Sequence, residues 1–232
     1  MASPRLPDDG RVALYYAPSA DDPLFAAGAR WLGRDPTTGL SCPQPNLPDI
    51  AEVTAEPRHY GFHATLKPPM LLLSDLTWPD LHAATQALAN SIAPFDLPPL
   101  TVADLHGFLA VREQHPSPAL QSLADRCVEA LDRFRAPPTE TEIARRLRAN
   151  LSPAHKANLV RWGYPYVFGE WFFHMTLTRR LNPAEHAFWR PATQNHFATA
   201  LHHPRRVTDI CLFTQPTRET PFTLAARFPL RG

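Results

Sequence analysis

An α+β fold built as two similar lobes of one domain, residues 1–232, is what this sequence predicts, and three observations carry the prediction. Short runs of strand-forming residues alternate with helical patterns along the chain. A strand–helix–strand order in the first half returns, more weakly, in the second. The tetrapeptide His-x-Thr-Leu also occurs twice, as His63-Ala64-Thr65-Leu66 and His174-Met175-Thr176-Leu177, 111 residues apart.

The elements follow in order. Arg11 to Ala17 is rich in β-formers and stops at Pro18, so it reads as a strand. Leu24 to Leu32 then carries apolar residues at helical spacing. Residues 33–58 hold Gly33, Gly39 and four prolines between positions 36 and 48, without periodicity, which predicts a long ordered loop or flap. Tyr60 to Lys67 reads as a strand ended by Pro68 and Pro69, which cannot donate to a ladder. A helix is expected from about Pro79 to Ile92, and one or two strands around Gly107 within Leu100 to Val111. Pro118 to Phe134 repeats Leu120, Leu123, Cys127, Val128 and Leu131 on one side, an amphipathic helix. Residues 139–162 read as two shorter helices, the second with Ser152 as N-cap and Pro153 after it. The helical segment of about 118–162 thus separates the two motif copies. Trp171 to Arg180 is the second motif strand, followed by a helix from Pro183 to Ala200 and strands near Val207 to Thr214 and Phe222 to Phe228.

Composition narrows the function classes. The net charge of +1 offers no overall attraction to nucleic acid or an anionic membrane. Met1 to Gly10 is polar and proline-bearing, so neither a secretory leader nor a membrane anchor is expected. Cys42, Cys127 and Cys211 lack metal-site or disulfide spacing and read as reduced thiols in a cytoplasm. Proline makes up 27 of 232 residues and lysine occurs only at positions 67 and 156. A lysine beside the first motif therefore stands out.

The motif has a clear geometric consequence. Side chains alternate along a strand, so His63, Thr65 and Lys67 are expected on one face and Phe62, Ala64 and Leu66 on the other. His174, Thr176, Thr178 and Arg180 are expected to share a face opposite Phe173, Met175 and Leu177. Two imidazoles meeting across a cleft can serve as base and acid on opposite sides of a phosphorus atom, since their ordinary pKa lies near working pH. Threonine hydroxyls can donate to non-bridging oxygens and Lys67 can offset developing charge. Metal ligation fits less well. His59 and His63 would share no helix face in an extended segment, and no acidic residue completes a zinc motif. Nine scattered glycines form no phosphate loop.

The two His-Thr pairs resemble the signature of the two-histidine phosphoesterase superfamily. The blocks Arg30–Asp35, Pro57–Phe62, Phe134–Pro137 and Trp162–Val167 resemble a bacterial branch of it often encoded beside phosphonate-utilisation genes. The resemblance covers nearly the whole chain. It implies a bilobal fold with two pseudo-twofold-related antiparallel sheets, helices outside, a central cleft holding both histidines, and neither metal nor cofactor. Under it, His63, Thr65, His174 and Thr176 are the expected catalytic residues, acting on a small cyclic phosphodiester such as a ribose cyclic phosphate. Lys67, Arg58, Tyr60, Thr178, Tyr164 and Tyr166 are the expected substrate and phosphate contacts. Processing of RNA 2′,3′-cyclic phosphate ends is the alternative reaction, and a non-catalytic nucleotide-binding module is the alternative class. A small phosphorylated substrate is favoured over nucleic acid, with no membrane and no obligate protein partner.

Overall fold

The computed structural model describes residues 10–148 and 150–232, so the reading of the first nine residues lies outside the described residues. In chain order its elements are β1 (Arg11–Tyr16), α1 (Pro23–Leu32), α2 (Ile50–Val53), α3 (Ala55–Tyr60), β2 (Ala64–Leu71), α4 (Trp78–Asn90), β3 (Phe95–Leu97), β4 (Leu100–Leu105), β5 (Phe108–Glu113), α5 (Pro118–Leu131), α6 (Glu140–Leu147), α7 (Pro153–Trp162), β6 (Met175–Thr176), α8 (Pro183–Leu201), β7 (Arg205–Val207), β8 (Asp209–Gln215) and β9 (Thr223–Pro229). The helix starts follow from capping chemistry. Asp22, Thr77, Ser117, Thr139, Ser152 and Asn182 each accept a backbone N–H of the first turn, satisfying donors that would otherwise be orphaned.

Seven strands form one sheet in the order β4-β5-β6-β2-β1-β8-β9, and β3 and β7 form a separate pair. Every neighbouring pair is antiparallel. The two expected sheets are therefore halves of one, joined where the strands bearing the His-x-Thr motifs meet, at Ala64↔Met175. One large apolar cluster lines one face of the sheet. It takes in Val12, Leu14, Ala64, Leu66 and Met175 from strands, Leu81 from α4, Leu123 and Cys127 from α5, and Trp31 and Phe197 from α1 and α8. A smaller cluster around Ala13, Tyr15, Phe213 and Phe222 covers part of the other face.

Three expected elements differ in the structure. The 33–58 segment contains α2 and α3, and α3 ends at Tyr60 rather than letting a strand begin there. The cause is tertiary. Arg34, 6% exposed, donates from Nε to the Arg58 carbonyl at 3.0 Å and from Nη2 to the carbonyls of His59 at 3.4 Å and Phe222 at 2.8 Å. A cation satisfying the last carbonyls holds a helix too short to stand alone. β2 also runs through Pro68 and Pro69 to Leu71, because its pairing with β1 shifts register on either side of Lys67, and bulges tolerate residues that cannot donate. Within Trp171–Arg180 only Met175 and Thr176 form a ladder. The flanks are tied singly, by Leu177 N–H to the Leu109 carbonyl at 2.9 Å and Arg179 N–H to the Val53 carbonyl at 2.8 Å.

Helix α1 rests directly on the residue before the first motif histidine. A methyl group at Gly28 would come within 2.2 Å of the Phe62 ring, which is buried and itself stacks on Phe197 at 5.8 Å. Gly28→Ala should therefore push Phe62 or α1 outward and cost about 1–3 kcal/mol of stability, as overpacked cores do. Urea denaturation checks this, and an unchanged midpoint would mean that the ring yields freely.

Candidate functional site

The Ala64↔Met175 pair dictates the site. Residues opposite one another in an antiparallel pair point to the same face and their chain neighbours to the other. Ala64 and Met175, both fully buried, point into the core. His63 and Thr65 flank Ala64 on the opposite face, as His174 and Thr176 flank Met175. Continuing the register sets His63 beside Thr176 and Thr65 beside His174. The imidazoles therefore occupy opposite corners of a four-residue patch, with a backbone diagonal of roughly 7–8 Å.

Each imidazole is oriented in the same way. His63 Nδ1 lies 2.8 Å from the Gly61 carbonyl and His174 Nδ1 lies 3.1 Å from the Phe172 carbonyl, in both cases two residues upstream. A carbonyl only accepts, so Nδ1 carries the proton and Nε2 of the neutral ring keeps its lone pair. The Thr65 hydroxyl, 3.2 Å from His63 Nε2, can donate to it. Each ring also stacks on an aromatic, His63 on Tyr15 at 3.7 Å and His174 on Phe172 at 4.7 Å. The Gly61 carbonyl is aimed by a backbone φ of 80°. A side chain there would be strained in that left-handed region and would meet Pro36 at 2.8 Å.

Indole donors fix both motif segments from outside. Trp171 Nε1 donates to the Thr65 carbonyl at 2.8 Å and Trp31 Nε1 to the Leu177 carbonyl at 2.9 Å. In front of the patch lies a cleft of about 540 Å3, lined by Tyr60, His63, Phe108, Thr176 and Arg180 among others, with His174 against the Phe108 ring at 5.9 Å. Burial lowers the pKa of His63 to about 4, with the charges of His174 and Arg34 adding to it and the Gly61 carbonyl opposing. Burial likewise lowers His174, helped by Arg112 and opposed by the Phe172 carbonyl. Both rings are thus neutral near pH 7.

Of the expected contact residues, Tyr60 lines the cleft, its ring stacked on Phe222 at 5.5 Å. Lys67 does not. The register slips by one residue between Tyr15↔Thr65 and Leu14↔Lys67, so Leu66 is the extra residue of a bulge and Lys67 turns to the core face. There it is 2% exposed, its Nζ 3.3 Å from Asp132 Oδ1 and 3.3 Å from the Val128 carbonyl of α5. Burial lowers its pKa to about 8 even though Asp132 pulls the other way. Arg58 is likewise committed elsewhere. It donates to the carbonyls of Leu32 and Ala51, to Thr54 Oγ1 and to Gln44 Oε1, pinning the 33–58 segment. Thr178 borders the cleft, but its hydroxyl accepts the Leu109 N–H at 2.9 Å, so it serves the backbone. Tyr164 lies under the Arg146 guanidinium and edge-on to Tyr166, which packs on His155; neither tyrosine lines the histidine cleft.

Sequence reasoning passes over Tyr15, Phe108, Trp31 and Trp171 as working parts of the site. Tyr15 alone carries a local signal, since its alternation with Tyr16 puts one of the two on the cleft face. The other three gain their roles only from pairing with distant segments. Among the described residues no group of three or more His, Cys, Asp and Glu side chains is gathered as a metal site, and no helix is long and apolar enough to cross a membrane.

Fold and site together define an α+β protein with paired, tautomer-fixed histidines on the open face of an antiparallel sheet. Residues 65–223 match the sequence family described as "Protein of unknown function (DUF1045)", and the chain belongs to that family. It is similar to two proteins named "Ribose 1,5-bisphosphate phosphokinase PhnN". One, from Janthinobacterium sp. (strain Marseille), is 37% identical over 96% of this chain and 51% of its own length; the other, from Laribacter hongkongensis (strain HLHK9), is 34% identical over 92% and 50%. The chain spans about half the length of these curated relatives. Among solved structures, E. coli LigT complexed with NADP+ aligns at a TM-score of 0.44 with 14% identity, covering 97% of this chain and all of that one. A phosphoesterase crystal structure aligns at 0.43 with 15% identity, covering 97% and 99%.

The neutral state of His63 has a measurable consequence. Between its folded value of about 4 and the ordinary 6.5, the unfolded chain binds a proton at this residue that the folded chain refuses. The stabilising contribution is therefore fully present above the ordinary value and fades as pH falls through that window. Imidazole nitrogen NMR should show His63 titrating near pH 4, and the loss of stability on going from about pH 7 to about pH 5 should be smaller in His63→Gln. A His63 midpoint at the ordinary value would remove this account.

Proposed function

We propose that the protein is a phosphodiesterase that opens a small cyclic phosphodiester by paired-histidine acid–base catalysis. The observation that carries the reading is the polar patch in which two imidazoles, each with Nδ1 tied to a carbonyl, stand at opposite corners. A cyclic phosphate in the cleft would have its phosphorus between the two Nε2 atoms. His63, the ring with pKa about 4, takes the base role and removes a proton from water through Nε2. The water oxygen bonds to phosphorus as one ring P–O bond breaks, and the departing oxygen receives a proton from Nε2 of His174. The approaching anion raises the His174 pKa and so charges it for that role. Thr176, which lines the cleft, would donate to a non-bridging oxygen, and Thr65 would do so on turning away from His63 Nε2. Solvent exchange then returns both histidines to their starting states.

The likeness to ribose 1,5-bisphosphate phosphokinases supports a sugar phosphate as the substrate class. The chain matches half of each relative and lacks a glycine-rich phosphate loop, so the kinase activity in their name fits the unmatched half better. A kinase acting on ribose 1,5-bisphosphate needs a supply of it. Opening a ribose 1,2-cyclic phosphate that bears a 5-phosphate, at the bond to the 2-oxygen, provides that compound. The matched half would then make the substrate of the other half, in a pathway of phosphonate use.

Phosphorus NMR of a panel of cyclic phosphodiesters, including ribose 1,2-cyclic phosphates and RNA-derived 2′,3′-cyclic phosphates, tests the reading. His63→Ala and His174→Ala should each lower turnover by about a hundredfold or more without unfolding the chain; full activity in either folded variant would sink the mechanism. Turnover should also survive dialysis against a strong chelator, since two imidazoles and polar donors can supply acid, base and charge stabilisation. Loss on chelation, restored by one divalent ion, would point to a metal-dependent reaction instead.

A further inference from the structure

A second pocket lies on the same face of the sheet as His63, at the other end of β1. It is small, about 70 Å3, and Arg11, Arg135, Arg145, Arg146 and Arg218 line it together with one carboxylate, Glu142. Two of these cations already have a carboxylate partner, Arg135 sharing its own with Lys67. Arg135 is bound bidentately by Asp132 at 2.8 and 3.1 Å, and Arg218 pairs with Glu142 at 3.0 Å. Arg11, Arg145 and Arg146 have no carboxylate within ion-pair distance among the described residues. Arg11 meets only the neutral Gln215, at 2.6 Å, and the Phe222 ring, while Arg146 meets the Gly163 carbonyl and the Tyr164 ring. Crowding guanidinium groups, two of them half-buried, is unfavourable unless an anion joins them, and two oxygens of a phosphate match the planar guanidinium fork bidentately.

The strand that carries Arg11 also carries a buried, unpaired hydroxyl beneath His63. The Tyr15 hydroxyl is fully buried and has no hydrogen-bond partner, a costly state for a phenol O–H. Tyr15 is the residue on which His63 stacks, and it alternates with Arg11 and Ala13 on one face of β1. Burial drives its pKa well up, and the charge of Arg11 opposes the shift. The aromatic pair Tyr60–Phe222 connects the two pockets. Tyr60 borders the histidine cleft, and Phe222 carries the Arg11 guanidinium at 5.3 Å.

We infer that the pocket of Arg11, Arg145 and Arg146 is a phosphomonoester subsite that recognises a second phosphate on the substrate whose cyclic diester sits between His63 and His174. The inference rests on the reading of the histidine cleft as a phosphodiesterase centre, and it assigns selection of a doubly phosphorylated small molecule to residues far from Lys67 and Arg58. The arginine-rich lining suits a terminal phosphate as its occupant.

Direct binding separates this inference from the catalytic reading. Ribose 5-phosphate, which has no cyclic diester, is titrated into the full chain by calorimetry, for wild type, Arg11→Gln, Arg145→Gln, Arg146→Gln and the double variant His63→Ala/His174→Ala. The arginine variants should weaken binding by about tenfold or more, while the histidine variant should bind like wild type. Arg145 is exposed and makes no contact that the fold depends on, so its variant keeps the test sound if the other two misfold. Wild type that does not bind, arginine variants that bind equally well, or binding lost with the histidines would overturn the inference. In turnover, the preference for a ribose 1,2-cyclic phosphate bearing a 5-phosphate over the 5-hydroxyl form should fall about tenfold or more in Arg146→Gln, mainly through KM. If wild type opens both esters equally, the subsite is wrong and the catalytic reading stands; if it opens neither, the catalytic reading fails and the binding result still decides the subsite.

Discussion

One backbone contact organises this molecule, the antiparallel pairing of Ala64 with Met175. It joins two halves of a seven-stranded sheet and lets one strand face carry both His-Thr pairs while the residues between them, Ala64 and Met175, face the core. The ladder is only two residues long on the β6 side, too short to hold register unaided. The remainder comes from contacts that cross between halves. The Trp171 indole grips the Thr65 carbonyl and the Trp31 indole the Leu177 carbonyl, so slippage by one residue would break a hydrogen bond on each side, one buried and one part-buried, as well as turn the histidines inward.

The electrostatics follow from the same arrangement. Putting the imidazoles on a sheet face walled by Tyr15, Phe108 and Phe172 removes water from them and keeps them neutral, and the carbonyls two residues upstream decide which nitrogen holds the proton. The patch itself therefore carries little charge. Positive charge collects at the far end of β1 and on α6, where arginines outnumber their carboxylate partners. Lys67, which a simple alternation places beside the histidines, instead neutralises Asp132 under α5. The division leaves proton transfer to the centre of the face and charge recognition to its edge.

Local chemistry made much of this legible. Capping residues and prolines mark the helix starts at Pro23, Trp78, Pro118, Pro153 and Pro183 to within a residue or two, because a cap acts within one turn. Strand alternation places His63 with Thr65 and His174 with Thr176, since the period of two holds over so short a span. The short helix α3 is illegible for the opposite reason. Its last carbonyls are satisfied by Arg34, more than twenty residues upstream, and nothing within Ala55–Tyr60 announces that partner.

What the sequence determined by itself is thus the chemistry of the two motifs and their apolar backing, properties written in three or four consecutive residues. The tertiary structure alone decided which charges accompany them. A bulge at Leu66, imposed by the register with β1, sends Lys67 into the core, and carbonyls exposed by the 33–58 segment occupy Arg58. The arginine pocket draws on β1, α6 and the turn after β8, segments that no periodicity connects. A side chain's face is set by its neighbours in the chain only until a partner strand adds or removes a residue from the pairing. Beyond that point its surroundings depend on long-range register and burial, which exist only once the sheet has formed.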